Sequence, residues 1–451
     1  MKEKINIGIV GAGPAGFGAA DYLVEKLGER LAQGEVEIEI FEKGKTIDER
    51  ICPRVKAGKC IACNPCNAYQ GVAGAGLGSD GKLLLHTRIG NNLNEVIPEE
   101  KNQELVDRSE IRFKTYGAIM QEQDDGRILD LRTRALQNGI DFEYSRQAHI
   151  GSDRLPEQMK NFQKFLEAKG VKFTTQREIK SLEELSDKDY VLLAPGRGGS
   201  RWLESVLREI NVGFGYRPVD MGVRVEVPKE IIDAITDVTR DMKFYVRSKT
   251  FNDLVRTFCT CPGGFVTQES HDDFNLVNGY SVSGKGSSNT NFAVLARVPL
   301  EDSNTNNYAA LIAQLGYILR DGKKITAQRF GDLKRGRKSK STDNHKYFLK
   351  KTLKEAEWGD ISLILDARHF IDIMEGLDAF NKIMPGLTND STLLYTPEIK
   401  FHGLKIKTNE YLRAAPRIYV AGDGAGFSRG IIGAFVSGNL AAEGIYKEIQ
   451  K

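Results

Sequence analysis

The chain has 451 residues, of which 40% are hydrophobic, 28% charged and 8% aromatic, with a formal net charge of +3. This composition excludes a disordered chain and leaves ample apolar material for a core, while no apolar run reaches the ~20 residues that a membrane-crossing helix needs. Six Cys are too few for a disulfide scaffold, and MKEKINIGIV has no small-residue cleavage site, so a cytoplasmic protein with no membrane partner is expected.

Residues 5–10, INIGIV, form a β-branched apolar run of the kind a buried parallel strand needs. GAGPAG follows at 11–16, and Ala20, Leu23, Val24 and Leu27 then recur at helical spacing. VEIEIF, 36–41, reads as the next strand, with Glu42 and Lys43 at its end. Residues 52–81 read as a loop rich in Cys and Gly, and 94–139 mostly as helix. A second α/β stretch has a helix at 154–169, strands at 171–175 and 189–194, and the turn PGRGGS at 195–200. From about 213 the character changes. MGVRVEV (221–227), KFYVRS (243–248), FVTQ (265–268) and NFAVLARV (291–298) read as strands between polar turns. Helices are expected at 306–319 and 367–383. RIYVAGDG, 417–424, returns to the strand-then-glycine style of the N-terminus, and 431–449 reads as a closing helix.

Gly11, Gly13 and Gly16 make a GxGxxG turn, with Pro14 and Ala15 between the last two glycines. The first glycine permits the tight turn. The second lets a pyrophosphate approach the backbone, and the third lets the helix pack on the sheet. The helix N-terminus offers its N–H groups to the phosphates. Glu42, at the end of the next strand, is placed to hydrogen-bond an adenosine ribose. These features predict an α/β fold: a discontinuous Rossmann-like dinucleotide-binding domain, 1–212 and 392–451, with an inserted β-rich (α+β) domain at 213–391 that would carry the substrate.

RIYVAGDGAG and GIIGAFVSGNLAAEGI resemble the second FAD signature of the two-dinucleotide-binding flavoproteins. That resemblance implies that Gly422 and Asp423 meet the ribityl–pyrophosphate part of FAD. It also implies that the turn Ile431–Ile432–Gly433 lies under the flavin N1–C2=O edge. CPRVKAGKCIACNPCN, GVAGAGLGSDGKL, PVDMGVRVEVP, FCTCPGGFV and NGYSVSGKGSSNTNFAVLARV occur in this order. Together they resemble a family of predicted FAD-dependent dehydrogenases with no settled substrate. One departure is YTPEIKF, which stands where the resemblance leads one to expect a GxETRxSSP-like segment. By the same resemblance the loop 71–83 passes beside the isoalloxazine, bringing Gly78, Ser79, Asp80 and Lys82 with it. A cation there would favour the anionic reduced flavin, which makes Lys82 a candidate tuner. Asp220, Arg224, Lys285 and Asn289 lie in segments resembling the family's second domain and are candidates to face the flavin.

Cys52, Cys60, Cys63 and Cys66 form C-x7-C-x2-C-x2-C, a spacing that suits Zn²⁺ or an Fe–S centre as well as small packed residues. Cys259 and Cys261 read as a redox pair, as thiols beside the flavin or as packed side chains. Between Arg320 and Lys354 there are thirteen Lys/Arg and three Asp, a local net charge of 13 − 3 = +10. This stretch is either a solvated face or a site for an anion. The expected function is an FAD-dependent oxidoreductase acting on an anionic small molecule, with NAD(P)H as a transient electron donor in reach. The alternatives are an electron-transfer flavoprotein with a Cys-ligated metal or Fe–S centre, and an FAD-bearing RNA-binding protein. The sequence names no catalytic acid or base.

Overall fold

A computed structural model describes residues 4–53, 61, 63–78, 81–151, 153–270, 274–281, 286–300, 305–320, 324–401 and 403–451. The chain divides into two units, one of residues 1–121, 145–217 and 402–451, the other of residues 122–144 and 218–401.

The first unit is built on a six-stranded sheet. Its order is Arg413–Ala415, Ile418–Val420, Tyr190–Leu193, Ile5–Val10, Val36–Glu42 and Val171–Thr175. Every pairing is parallel except the edge pair of Arg413–Ala415 with Ile418–Val420. The near-continuous apolar runs follow from this arrangement, because helices cover such strands on both faces. Helix Pro14–Ala32 connects the first two parallel strands, and helix Ile431–Ile449 ends the chain. These two helices approach at backbone distance. A Cβ on Gly18 would lie 2.2 Å from the Phe435 carbonyl oxygen, and one on Gly438 would lie 1.9 Å from that of Ala15. Asn439 seals the crossing by donating from Nδ2 to the Gly18 carbonyl at 3.2 Å.

Two differences from the expected boundaries stand out. The inserted unit was expected at 213–391, but strand Leu393–Lys400 lies inside its eight-stranded sheet, between Thr326–Arg329 and Asp220–Pro228. The junctions therefore fall at 217/218 and 401/402. Residues 122–144 were also expected in the first domain. Instead, Asp141–Phe142 pairs with Phe244–Arg247 at the sheet edge, and the Phe142 and Phe244 rings meet at 5.2 Å. Helix Asp125–Gln137 buries Ile128, Leu131 and Ala135 in the same core.

The second sheet runs Glu357–Trp358, Thr326–Arg329, Leu393–Lys400, Asp220–Pro228, Asn289–Arg297, Leu254–Cys261, Phe244–Arg247 and Asp141–Phe142. Along its central strand Val223, Val225 and Val227 alternate with Arg224 and Glu226, and all five are buried. The valines join a core with Phe292, Val294, Leu377 and Phe380. Buried charge on the alternate positions demands partners. Glu226 takes bonds from Thr352 Oγ1 at 2.6 Å, Asn289 Nδ2 at 2.9 Å and the Tyr395 hydroxyl. Asp220 takes Arg297 Nε at 2.7 Å and a further bond from Arg256. Pro397 is accommodated at a register shift opposite the Gly222–Arg224 stretch, the kind of place where proline fits a sheet.

In the first unit Glu39 is buried and bonded to Lys172 at 2.8 Å, Thr174 at 2.6 Å and Lys188 at 3.1 Å. Burial pushes its carboxyl up, but these three bonds outweigh burial and hold it down from 4.5 to about 2. A carboxyl lowered on folding contributes stability above its unfolded value and loses it as pH falls through the folded one. Comparing Glu39→Gln with the parent by urea unfolding, the stability gap should be largest above pH 4.5 and close as pH falls toward 2. A gap unchanged across that window would remove this role. At the helix crossing, Gly18→Val should lower stability by about 1–3 kcal/mol or more, because the added carbons meet backbone rather than a movable side chain. The unfolding midpoint measures it.

Candidate dinucleotide site

The three glycines of the first turn differ in what surrounds them. Gly11 has φ +108°, and a Cβ there would lie 2.2 Å from the Ala194 carbonyl oxygen. A Cβ on Gly16 would lie 2.1 Å from the Gly11 carbonyl oxygen. These two positions are closed by the protein's own backbone. At Gly13 a Cβ would meet nothing nearer than the Gly74 Cα, at 3.9 Å. Among the described residues, the chain leaves the space at the second glycine open. Gly13 caps helix Pro14–Ala32 with no side-chain hydrogen bond, and Pro14 occupies the first turn. The helix end thus presents backbone N–H groups and the positive end of its dipole.

Glu42 ends the second strand, and its carboxylate is committed on both oxygens. Ala12 N–H donates to Oε2 at 3.0 Å and Gly44 N–H to Oε1 at 2.8 Å. The carboxylate thereby ties the glycine turn to the end of the second strand, and each oxygen keeps lone-pair capacity for a hydroxyl. Lys43 follows it, half-buried.

The loop that follows the cysteines is folded onto this turn. A Cβ on Gly74 would lie 3.0 Å from the Gly13 Cα, and one on Gly76 would lie 3.0 Å from Ile431 Cγ1. Gly78 closes the short turn Ala75–Gly78 against the Ala68 carbonyl oxygen, where a Cβ would approach to 2.9 Å. Arg50, which sequence reasoning missed, holds this loop in place. Its guanidinium donates to the carbonyls of Ala68 at 2.8 Å, Asn67 at 3.1 Å, Val72 at 2.6 Å and Gly74 at 2.9 Å. Burial pulls this arginine down to about 10, against the upward pull of Glu42, so it stays charged at neutral pH. Lys82 opens strand Lys82–Leu85, opposite His149. Ser79 and Asp80 lie outside the described residues.

The C-terminal motif arrives at the same place. Gly422 has φ +81°, and a Cβ there would lie 3.2 Å from the Ala15 Cβ. Its N–H donates to Ser437 Oγ at 2.9 Å. Asp423 Oδ2 accepts from Arg197 Nη2 at 2.7 Å and Nε at 3.1 Å. Asp423 Oδ1 is buried and has no hydrogen-bond partner among the described residues. Helix Ile431–Ile449 begins at Gly430, again with no side-chain cap. Ile431 and Ile432 are buried, and Gly433 lets the Gly90 carbonyl oxygen come to where its Cβ would be, at 2.1 Å. Arg197 lies in the turn PGRGGS and Ser437 in the segment GIIGAFVSGNLAAEGI, but sequence reasoning singled out neither, because nothing in those patterns says which side chain meets Asp423 or Gly422.

An FAD fits these residues on two observations: the open Gly13 position between two closed glycines, and the orphaned oxygen of Asp423. The first four N–H groups at each helix N-terminus have no partner within the helix.

The cysteine expectation has no comparable support. Cys52, Cys63 and Cys66 are half-buried thiols, and Cys60 lies outside the described residues. Burial pushes the Cys66 thiol up, and its neighbours Cys63 and Cys52 push it further. Among the described residues no group of three or more His, Cys, Asp or Glu could hold a metal ion. Of the candidates in the second unit, Asp220, Arg224 and Asn289 are buried in the sheet and hydrogen-bonded there, and Lys285 lies outside the described residues. No helix among the described residues is long and apolar enough to cross a membrane.

Residues 218–400 match the family described as FAD-dependent protein, C-terminal domain-like. This match coincides with the longer segment of the second unit. An uncharacterized protein of Clostridium beijerinckii is 25% identical over 482 aligned positions, covering 98% of this chain and 80% of its own. Among solved structures, L-proline dehydrogenase from P. horikoshii overlays with a TM-score of 0.39 at 13% identity, covering 99% of this chain and 95% of its own. The tetrameric 2-methyl-3-hydroxypyridine-5-carboxylic acid oxygenase overlays with a TM-score of 0.37 at 11% identity, covering 99% and 83%. Overlays this loose carry no argument about reaction or substrate. The family match is confined to residues 218–400, the segment that is similar to the C-terminal domain of FAD-dependent proteins.

The glycines separate two outcomes. Gly13→Val should leave the fold intact by circular dichroism and lower the bound FAD per chain at least tenfold, because the side chain enters the open space. Gly16→Val should lose the fold itself. Full FAD occupancy in Gly13→Val would show that the pyrophosphate lies elsewhere.

Proposed function

We propose that this FAD-dependent protein is an oxidoreductase that exchanges electrons with an anionic small molecule. The observation that carries the reading is the meeting of two glycine motifs some 400 residues apart. Gly422 faces Ala15 of the first turn, and a Cβ on it would come within 3.2 Å of the Ala15 Cβ. A lone nicotinamide domain has no use for the second motif. When bound, FAD supplies an isoalloxazine that accepts a hydride or electrons. The chain supplies the rest. The N-terminus of helix Pro14–Ala32 and the open Gly13 would hold the pyrophosphate, Glu42 the adenosine ribose and Asp423 Oδ1 the ribityl chain. The uncapped start of helix Ile431–Ile449 would stabilise negative charge on the N1–C2=O edge.

The preference for an anion rests on the stretch 320–354. KRGRKSK, 334–340, has five basic residues in seven and no acid of its own, yet acids from elsewhere answer part of it. Arg335 pairs with Asp390, Arg337 with Asp332 at 3.0 Å, and Lys324 with Glu357 at 2.6 Å. Lys334, Lys338 and Lys340 are exposed, and no ion pair to them is found among the described residues. Unshared cations on this segment are the part of the patch that could recruit a carboxylate or phosphate.

The purified protein should be yellow and release FAD on denaturation. A screen of anionic and neutral metabolites, read by loss of oxidised-flavin absorbance, should favour the anions. Against the best of them, Arg337→Ala/Lys338→Ala should raise KM several-fold and flatten its salt dependence with FAD content unchanged. Equal turnover of neutral compounds, or a double variant with the parent's KM at low salt, would reduce the patch to a solvated surface.

A further inference from the structure

Helix Thr305–Ile318 of the second unit, TNNYAALIAQLGYI, carries no charged residue. Its buried positions are Thr305, Ala309, Ala313 and Gly316, all small, and they let the helix lie close on the sheet. Ala309 and Ala313 join a core with Met221 and Ile399, and a Cβ on Gly316 would lie 3.1 Å from Pro397 Cδ and 3.5 Å from Ile364 Cγ2. The large aliphatic side chains lie on the other side. Leu311 is 64% exposed and Ile318 69%, with Leu315 at 39% and Leu319, in the turn that continues the helix, at 40%. The spacing i, i+4, i+7, i+8 puts all four on one stripe. A helix that serves only its own core buries that stripe. Single exposed leucines need no explanation, but a contiguous apolar ridge marks an interaction surface.

The ridge runs into the basic segment. Arg320 follows Leu319 directly. Its Nε donates to Thr326 Oγ1 at 2.8 Å, and its Nη2 takes the place where a Cβ on Gly359 would stand. The Gly359 carbonyl accepts from Ser339 N–H at 3.0 Å, so KRGRKSK, 334–340, passes the same residue. Lys338 and Lys340, on either side of Ser339, are exposed, as is Lys334. Beyond Gly359, Leu363 is 61% exposed, next to the Ile364 that packs under Gly316. Phe348 is 65% exposed, and the ring of Tyr347 before it lies 4.5 Å from the Arg329 guanidinium, which is itself 3.9 Å from the Trp358 ring. Exposed apolar side chains and a run of cations therefore meet around Gly359.

Charge chooses among the surfaces that could cover the ridge. From Arg320 to Leu363 there are thirteen Lys/Arg and six Asp/Glu, a net of 13 − 6 = +7. A second copy of the chain would bring the same positive charge to the contact. A nucleic acid answers the lysines, but its bases stack on aromatic rings and leave an aliphatic ridge in water. A small anion has no use for the ridge either. A bilayer surface rich in anionic lipid meets both demands, since headgroups take the lysines and the acyl boundary takes the leucines. Such a helix lies in the interface and needs no membrane-crossing length.

We propose that the exposed face of helix Thr305–Ile318, with the basic segment 334–340 beside it, docks the protein on the surface of an anionic bilayer. The contact is peripheral and reversible, and it needs two signals together: the aliphatic ridge and the cluster of lysines. The inference goes beyond the oxidoreductase reading and does not rest on it, because lipid binding is read without turnover. The two uses of the lysines also separate. Recruiting a small anion depends on the lysines alone, whereas docking fails when either the lysines or the ridge is removed.

The test floats the FAD-loaded full chain with vesicles of phosphatidylcholine and phosphatidylglycerol at about 2:1, and with vesicles of phosphatidylcholine alone. At ~0.1 M salt the parent should bind the anionic vesicles about tenfold better than the neutral ones, and ~0.5 M salt should release most of it. Leu311→Gln/Ile318→Gln should lower the bound fraction about fivefold. Lys334→Gln/Lys338→Gln/Lys340→Gln should lower it as far and abolish its salt dependence. All five side chains are exposed, so circular dichroism and bound FAD should match the parent and show that the variants are folded. A parent that stays behind when anionic vesicles float, or a helix variant that binds them as the parent does, would overturn the proposal. So would a parent that sediments as a dimer and becomes monomeric in Leu311→Gln/Ile318→Gln, which would assign the ridge to a second copy of the chain.

Discussion

The backbone contact between the first and last helices is the constraint on which the first unit depends. Gly18 and Gly438 have no side chains, so helix Pro14–Ala32 and helix Ile431–Ile449 touch main chain to main chain. Larger residues at either position would force the helices apart. The strands leading into the two helices are then held in one sheet, separated only by Tyr190–Leu193. That is how Gly422 comes to face Ala15 and how two helix N-termini can serve one dinucleotide. The glycine content is spent on distances of this kind, where a Cβ would collide with a carbonyl oxygen.

The second unit is organised by a different constraint. One face of its central strand is apolar and the other is charged, yet both are buried. Isolated buried charge is expensive, so every such group in the sheet has been given donors or acceptors. Asp220 is matched by two arginines, and Glu226 by hydroxyls and an amide. Arg224 is matched by Glu398, the Asn291 side chain, the Cys259 carbonyl and the Cys261 sulfur. Strand Leu393–Lys400 belongs to this economy, since Glu398 and Lys400 take their places in the polar face.

That strand shows where the reading of local pattern stopped. Period-two alternation of apolar and polar residues finds a strand with one wet face. It does not find LLYTPEIK or LVRTFCTC, whose polar positions are buried against other strands and whose ladders are broken by register shifts. The misassigned boundary at 391/392 follows from the same cause. Helix Asp125–Gln137 was legible as a helix, but its membership in the second unit was not. Membership depends on Phe142 reaching Phe244, a contact more than a hundred residues apart in sequence.

The dinucleotide turn was legible because its chemistry is local. A strand, a glycine turn and a helix N-terminus lie within about thirty residues, and each glycine answers a steric demand set by its immediate neighbours. The same holds for the apolar parallel strands and for the closing helix. Arg50, Arg197, Ser437 and the orphaned oxygen of Asp423 were decided only in three dimensions. A guanidinium surrounded by loop carbonyls, or a carboxylate half-satisfied by an arginine more than two hundred residues away, has no spacing to betray it. Sequence by itself determined which segments could be strand, turn or helix, through periodicity and the absence of Cβ atoms. Which charges were buried together, and which polar atoms were left open for a ligand, was decided by tertiary packing, because desolvation depends on neighbours brought together from distant parts of the chain.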